Sequence, residues 1–276
     1  MPITSAEQPP PPDRAPHRLR ETAESFGADA ERYDRARPRY PDALVGRITG
    51  AAPGPDVLDV GCGTGIAARQ FQAAGRTVLG VEPDARMAEV ARRLGTPVDI
   101  AAFEGWDPAG RTFDAVVAGQ SWHWIEPAAG TAKAARVLRP GGVLALFWNA
   151  FQFPAEVAEG VVAACRRAVP DAPFDFRAMT KGPLDGVRAL LAEPVRTIRA
   201  AAEFHEPEEW RWEWEWTYTR DAWLDQMPTQ GAFTRLPADR LARVLEETGA
   251  VIDAGGGSFT MRYTTVAVTA TRTGTG

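Results

Sequence analysis

The chain has 276 residues, 45% of them hydrophobic, enough for one substantial core and a smaller appended cap. The 31 Lys and Arg against 36 Asp and Glu leave a formal charge of −5 with no run of like charge to follow a phosphate backbone, which argues against a nucleic-acid partner. Two cysteines, Cys62 and Cys165, cannot build a disulfide framework or a four-cysteine zinc site within one chain, and three histidines make no metal cluster. No leader-like or membrane-spanning apolar stretch is present, so the sequence reads as a cytoplasmic protein with no membrane partner and no metal.

In chain order, residues 1–30, with the run Pro9-Pro10-Pro11-Pro12, read as a disordered or polyproline tail. Residues 31–150 alternate short apolar runs with longer amphipathic ones, the pattern of a parallel sheet covered by helices. Val57-Leu58-Asp59-Val60 is a strand leading into a glycine loop, and residues 66–74 form a helix closed by Gly75. A strand over 77–81 follows. Asp84 then caps a helix whose apolar positions Met87, Val90, Ala91 and Leu94 lie three and four residues apart, and Gly95 stops it.

Strands are expected over 98–103, 113–118 and 143–148, with a helix over 128–138 and a turn at Pro140-Gly141-Gly142, completing five βα repeats. Residues 151–223 read as a cap that shapes an acceptor pocket. Within it Trp210, Trp212, Trp214 and Trp216 share one face of a strand, and Arg211, Glu213 and Glu215 share the other. Core packing and a substrate platform both fit that aromatic face. Residues 224–276 supply an amphipathic helix over 236–247 and a long β run over 259–271 that closes the sheet and makes a closing pair with the aromatic strand. The fold class is therefore α/β, a doubly wound Rossmann-like sheet with a helical cap insertion.

The chemistry concentrates in Val57-Leu58-Asp59-Val60-Gly61-Cys62-Gly63-Thr64-Gly65, a strand ending in closely spaced glycines that opens a helix. Glycines there let a ligand approach the backbone where a side chain would collide. Ile66 stands where a dinucleotide fingerprint starting at Gly61 needs a small residue, and no Lys-Ser or Lys-Thr follows for a triphosphate. Asp59, beside the loop, repels a pyrophosphate but favours a cationic amine or sulfonium. Glu82 ends the next strand, where a carboxylate can accept hydrogen bonds from both ribose hydroxyls or stand as a solvated acid.

With Val81-Glu82-Pro83-Asp84, Ala102-Phe103-Glu104, Phe113-Asp114-Ala115-Val116-Val117 and Arg136-Val137-Leu138-Arg139-Pro140-Gly141-Gly142, that loop resembles the class I S-adenosylmethionine-dependent methyltransferases, in particular their small-molecule branch. The resemblance spans residues 33–149. It implies seven strands with the last antiparallel, S-adenosyl-L-methionine as cofactor with S-adenosyl-L-homocysteine as product, and methyl transfer to O, N or C of a small-molecule acceptor. It further implies that Gly61 and Gly63 pass under the methionine part, Asp59 holds its amine, Glu82 the ribose, and Phe103 and Glu104 flank adenine. Cys62, Gly65, Pro83, Met87 and Gln120 complete the implied cofactor contacts. Ala102 departs from the common pattern, which has an Asp there for the adenine amine; Glu104 is the substitute.

The segment Arg32-Tyr33-Asp34-Arg35-Ala36-Arg37-Pro38-Arg39-Tyr40-Pro41 resembles the part of that branch that closes over the cofactor, with Tyr33 and Arg37 meeting its carboxylate. A helix cap held by surface ion pairs is the alternative. Gly119-Gln120-Ser121-Trp122-His123-Trp124 follows the fourth strand and so lies at the same sheet edge. His123 is the candidate general base there, or packing between two tryptophans. The same fold also admits a non-methylating cyclisation or rearrangement, or a non-catalytic binding subunit.

Overall fold

A computed structural model describes residues 25–170, 176, 180, 182 and 184–274. Of the expected tail, residues 1–24 lie outside the described residues, and 25–30 are corrected to ordered structure. A 3₁₀ turn, Phe26–Asp29, runs directly into helix α1, Ala30–Ala36, whose first turn is capped by Asp29 accepting the Arg32 N–H. What orders it is apolar: Ala30, Phe26 and Tyr33 pack against Met87 and Val90.

The sheet has the order β3-β2-β1-β4-β5-β7-β6. β1 (Asp56–Val60), β2 (Thr77–Glu82), β3 (Val98–Ile100), β4 (Phe113–Gly119) and β5 (Leu138–Gln152) pair in parallel. The last strand, β7 (Ser258–Thr271), is antiparallel to both β5 and β6 (Glu208–Thr219). Period-two alternation sorts the strand residues onto two faces. Leu58, Val60, Val116, Leu144 and Leu146 point to one core, beneath α5 (Pro127–Val137) and α7 (Asp185–Ala200). Val57, Val78, Val117, Ala145 and Phe147 point to the other, beneath α2 (Asp42–Ala51) and α3 (Ile66–Ala73). Helix α4 (Ala85–Arg93) is capped by Asp84 accepting the Arg86 N–H.

Three expectations change in detail. β3 ends at Ile100, because Phe103 turns inward to pack on Trp106 and Trp122, and no helix lies in the described link from β3 to β4. Pro140-Gly141-Gly142 is an irregular start of β5 rather than a free turn. The β4–β5 register shifts between Phe113 and Ala115, and Gly141 takes the left-handed φ of 76° that the shift requires. The aromatic strand lies in the main sheet as its edge, paired with β7 over its whole length, instead of within the cap.

Because β5 and β7 run on past the parallel strands, their far ends carry a second apolar cluster. Phe153, Phe259 and Trp223 meet edge to face or tilted within 5.7 Å, joined by Tyr218, Met261 and Tyr263. Helices α6 (Ala155–Ala168), α8 (Arg220–Gln226) and α9 (Ala238–Ala254) close over it. The tryptophans of β6 divide between the cores. Trp210 and Trp212 pack toward the sheet face, Trp214 stacks on Tyr263 at 4.3 Å, and Trp216 is 55% exposed. The face is partly packing and partly surface.

Candidate functional site

Strand order reverses between β1 and β4, so the loops that follow these strands separate and leave a crevice at their carboxyl ends. A cavity of about 360 Å³ lies there. Gly61, Gly63 and Gly65 have φ of 64°, 55° and 82°, a conformation natural only to glycine. A Cβ on Gly61 would come within 2.5 Å of the Ser121 Cβ, so the loops after β1 and β4 touch directly. Ser121 Oγ fastens them by donating to the Val60 carbonyl at 2.5 Å.

Asp59 is 1% exposed, at the end of β1 under the start of α3. Burial pushes its carboxyl up to about 7, against the pull of the Ala68 backbone N–H. Its Oδ2 is buried without a hydrogen-bond partner among the described residues. A buried acceptor left in that state costs about 1–3 kcal/mol, which a cationic donor entering the cavity removes. Glu82, 8% exposed, has both oxygens engaged: Oε2 accepts the Gly63 N–H at 2.9 Å and Oε1 the Asp84 N–H at 2.9 Å. Each oxygen keeps a second lone pair for a hydroxyl donor. Burial also raises this carboxyl to about 7.

Tyr33 and Arg37 sit one helical turn apart and both line the cavity. Arg37 Cζ lies 4.9 Å from the Tyr33 ring centroid, its terminal nitrogen donates to the Thr229 carbonyl, and its Nε is buried without a partner among the described residues. Their neighbours carry the ion pairs. Arg35 binds Asp225 at 2.8 Å, Arg32 the same carboxylate at 3.2 Å, and Asp34 binds Arg69 at 2.6 Å. Helix α1 thus turns one face to the cavity and braces itself on α8 and α3 with the others.

Cys62, Pro83, Met87, Phe103, Glu104, Gln120 and His123 also line the cavity, whereas Gly65 stands behind it as the N-cap of α3. The Cys62 side chain turns toward Gly80, Ala88 and Val98, so it is its backbone that faces the loop. Glu104 spends Oε1 on the Glu126 N–H at 2.9 Å. Gln120, in a left-handed conformation at φ 57°, donates to the Asn149 carbonyl at 3.2 Å. His123 Nδ1 accepts the indole N–H of Trp148 at 3.2 Å, and burial pulls the ring down to about 4.

Phe26, Tyr40, Ser121, Trp124 and Asn149 line the same cavity without having been singled out as site residues. Tyr40 lay in a segment already noted. Phe26 lay in the stretch read as tail, and only its lone aromatic character marked it. Conversely, Arg139 and Asp114 serve the opposite sheet end: Arg139 bridges Asp114 at 2.6 Å and Asp56 at 2.8 Å, clasping β5, β4 and β1. No group of three His, Cys, Asp or Glu among the described residues is arranged to hold a metal, and no helix among them is long and apolar enough to cross a membrane.

Reversed sheet order, a left-handed glycine loop and two buried acids at the strand ends define a doubly wound Rossmann-like fold with a ligand crevice at its switch point. Residues 58–146 match the family described as a methyltransferase domain. An uncharacterized methyltransferase of Mycobacterium tuberculosis (strain H37Rv) is 37% identical over 138 residues, covering 47% of this chain and 54% of that protein. The chain therefore spans about half the length of that relative. A solved structure described as a type II methyltransferase from Anaeromyxobacter dehalogenans superposes with a TM-score of 0.60 at 26% identity, covering 84% of this chain and 97% of the other. A methyltransferase structure from Anabaena variabilis, at TM-score 0.54 and 15% identity over 85% of this chain and 98% of that one, shares the fold. The similarity to methyltransferases thus lies in residues 58–146 and in the shared sheet.

Proposed function

We propose that this protein binds S-adenosyl-L-methionine in the cavity at the β1–β4 switch point and transfers its methyl group to a small organic molecule. The observation that carries the reading is Asp59 Oδ2, a buried carboxylate oxygen with no partner, in a wall of left-handed glycines. A dinucleotide would set a phosphate against that charge; an ammonium satisfies it. When bound, the cofactor supplies an electrophilic methyl group on a sulfonium.

The chain's residues then hold and enclose. Asp59 takes the amine, with Gly61 and Gly63 permitting close backbone approach, while Glu82 offers its remaining lone pairs to the ribose. Phe103, Met87 and Pro83 flank the base, with Glu104 at its edge. Arg37, whose Nε lacks a partner, and Tyr33 face the carboxylate. Cys62 contributes backbone, and Gln120 with Asn149 and Tyr40 lines the side where an acceptor enters. Phe26 and Trp124, 6.2 Å apart edge to face, cover the opening and exclude water. Methyl transfer needs alignment of acceptor and methyl more than acid–base assistance.

The formal charge of −5 and the partly aromatic cavity favour a small-molecule acceptor over a nucleic acid. Product analysis tests the chemistry: S-adenosyl-L-homocysteine must accumulate mole for mole with methylated acceptor. Turnover of an acceptor without its release identifies a non-methylating reaction on the same fold.

A further inference from the structure

We propose that His123 is a hydrogen-bond donor fixed in one tautomer by Trp148, not a base, and that the acceptor it positions is a carboxylate whose oxygen attacks without losing a proton. The inference rests on the methyl-transfer reading for its acceptor half only. An indole N–H can only donate, so the 3.2 Å contact between Trp148 Nε1 and His123 Nδ1 requires a bare Nδ1. The neutral ring then carries its proton on Nε2. Trp148 is 1% exposed and belongs to the core beneath α5 and α7, so this partner cannot swing away as a surface residue would. His123 lies in the cavity wall with Trp124 at 4.7 Å, and what its ring has left to offer a ligand is an N–H.

Beside His123, the titratable and charged groups that share the cavity are Tyr33, Arg37, Tyr40, Asp59, Glu82, Asp84, Glu104 and Cys62, whose thiol burial pushes well up. None of them displaces the His123 titration, whose single cause is burial. On the proposed reading the cofactor commits the rest: Asp59 takes its amine, Glu82 its ribose and Glu104 the edge of its base, while Asp84 caps α4 and pairs with Arg86, and burial raises the Tyr40 phenol far above neutrality.

A site that presents a donor and no base suits an acceptor already ionised at neutral pH. A carboxylate meets this with two oxygens. One accepts the His123 Nε2–H, and the other forms the new O–CH3 bond as the C–S bond of the sulfonium breaks, its electron pair staying on sulfur. The products are a methyl ester and a neutral thioether, and no proton moves. An alcohol would have to shed a proton, for which the cofactor-loaded cavity of the proposed reading leaves no uncommitted receiver.

The test needs no known acceptor. The chain has three histidines, His17, His123 and His205, so the ¹⁵N spectrum of the labelled full-length protein resolves each ring. His123 is expected to show a bare Nδ1, a protonated Nε2, and no titration between pH 8 and pH 5.5. Trp148→Phe is expected to release the lock and mix the tautomers, while burial keeps the midpoint low. A protonated Nδ1 in the wild-type protein, or a wild-type midpoint near 6.5, overturns the proposal whether or not Trp148→Phe folds.

For the acceptor half, benzoate is titrated into protein saturated with S-adenosyl-L-homocysteine while the His123 Nε2–H resonance is followed. A saturable shift, absent with benzyl alcohol, supports a carboxylate. No shift up to the solubility of benzoate, or an equal shift with the alcohol, refutes it. Failure of S-adenosyl-L-homocysteine to bind is a separate outcome that strikes the proposed function and leaves the tautomer result standing.

Discussion

Asp59→Asn should make the ligand-free protein more stable at pH 8 while removing its affinity for the cofactor. The wild-type carboxyl is raised from 3.8 to about 7 by burial, roughly 3 pH units, and each unit is worth about 1.4 kcal/mol, so the ceiling on the gain is about 4 kcal/mol. Asn keeps an oxygen for the Ala68 N–H but brings an amide N–H₂ that needs an acceptor, which lowers the expected gain to about 1–3 kcal/mol. The sign follows from the direction of the shift. A folded-state pKa above the unfolded one favours the folded state fully below about 3.8, and that contribution disappears as pH rises through about 7.

Urea unfolding followed by circular dichroism at pH 5 and pH 8, on both proteins without ligand, measures this directly. Wild type should lose stability from pH 5 to pH 8 more steeply than Asp59→Asn, whose curve lacks one titrating acid. The reasoning is refuted if the variant is the less stable protein at pH 8 and both slopes coincide, because Asp59 would then be ionised and satisfied in the empty cavity.

Glu82→Gln should keep the fold and weaken S-adenosyl-L-methionine binding by about 1.5–3 kcal/mol, the worth of a charge-assisted hydrogen bond, as read by calorimetry; an unchanged affinity would detach Glu82 from the ribose. Gly61→Ala combines a φ of 64° with a 2.5 Å collision against Ser121, and should cost about 1–3 kcal/mol of stability in denaturant unfolding, besides displacing the loop. Phe26→Ala should cost about 0.5–3 kcal/mol in denaturant unfolding and speed cofactor release in stopped flow, because Phe26 both packs on Met87 and Val90 and lines the cavity. Trp223→Ala, fully buried among Phe153, Tyr218 and Phe259, should cost about 3–5 kcal/mol, measured by the same denaturation.

The parallel half of the fold was legible because its signals are local. Val57 to Gly65 writes a strand, a turn and a helix start in consecutive residues, and Asp84 caps the following helix in the position its side chain chemistry favours. What escaped depends on distant partners. Trp210 to Trp216 read as one of a closing pair with the 259–271 run yet within a cap, since nothing in that stretch says that it ends up as the edge of the main sheet. Phe26 looked like the end of a polar tail because its partners Tyr33, Met87 and Trp124 come from three separate elements.

At the site, residue types were readable but not their states. The spacing pointed to Asp59 and Glu82; the orphaned Oδ2 of one and the doubly occupied carboxylate of the other emerge only when β1, β2 and α3 converge. His123 illustrates the same limit. Its place after β4 put it at the sheet edge, but whether its ring takes or gives a proton depends on Trp148, a core residue of β5.

The central claim is the identity of the cofactor, and calorimetric titration of the purified full-length chain with S-adenosyl-L-methionine, S-adenosyl-L-homocysteine and NAD in parallel tests it most directly. Micromolar binding of the first two, lost in Asp59→Asn, with no heat from NAD, is the expected result. Binding of NAD alone, or of none of the three, contradicts it.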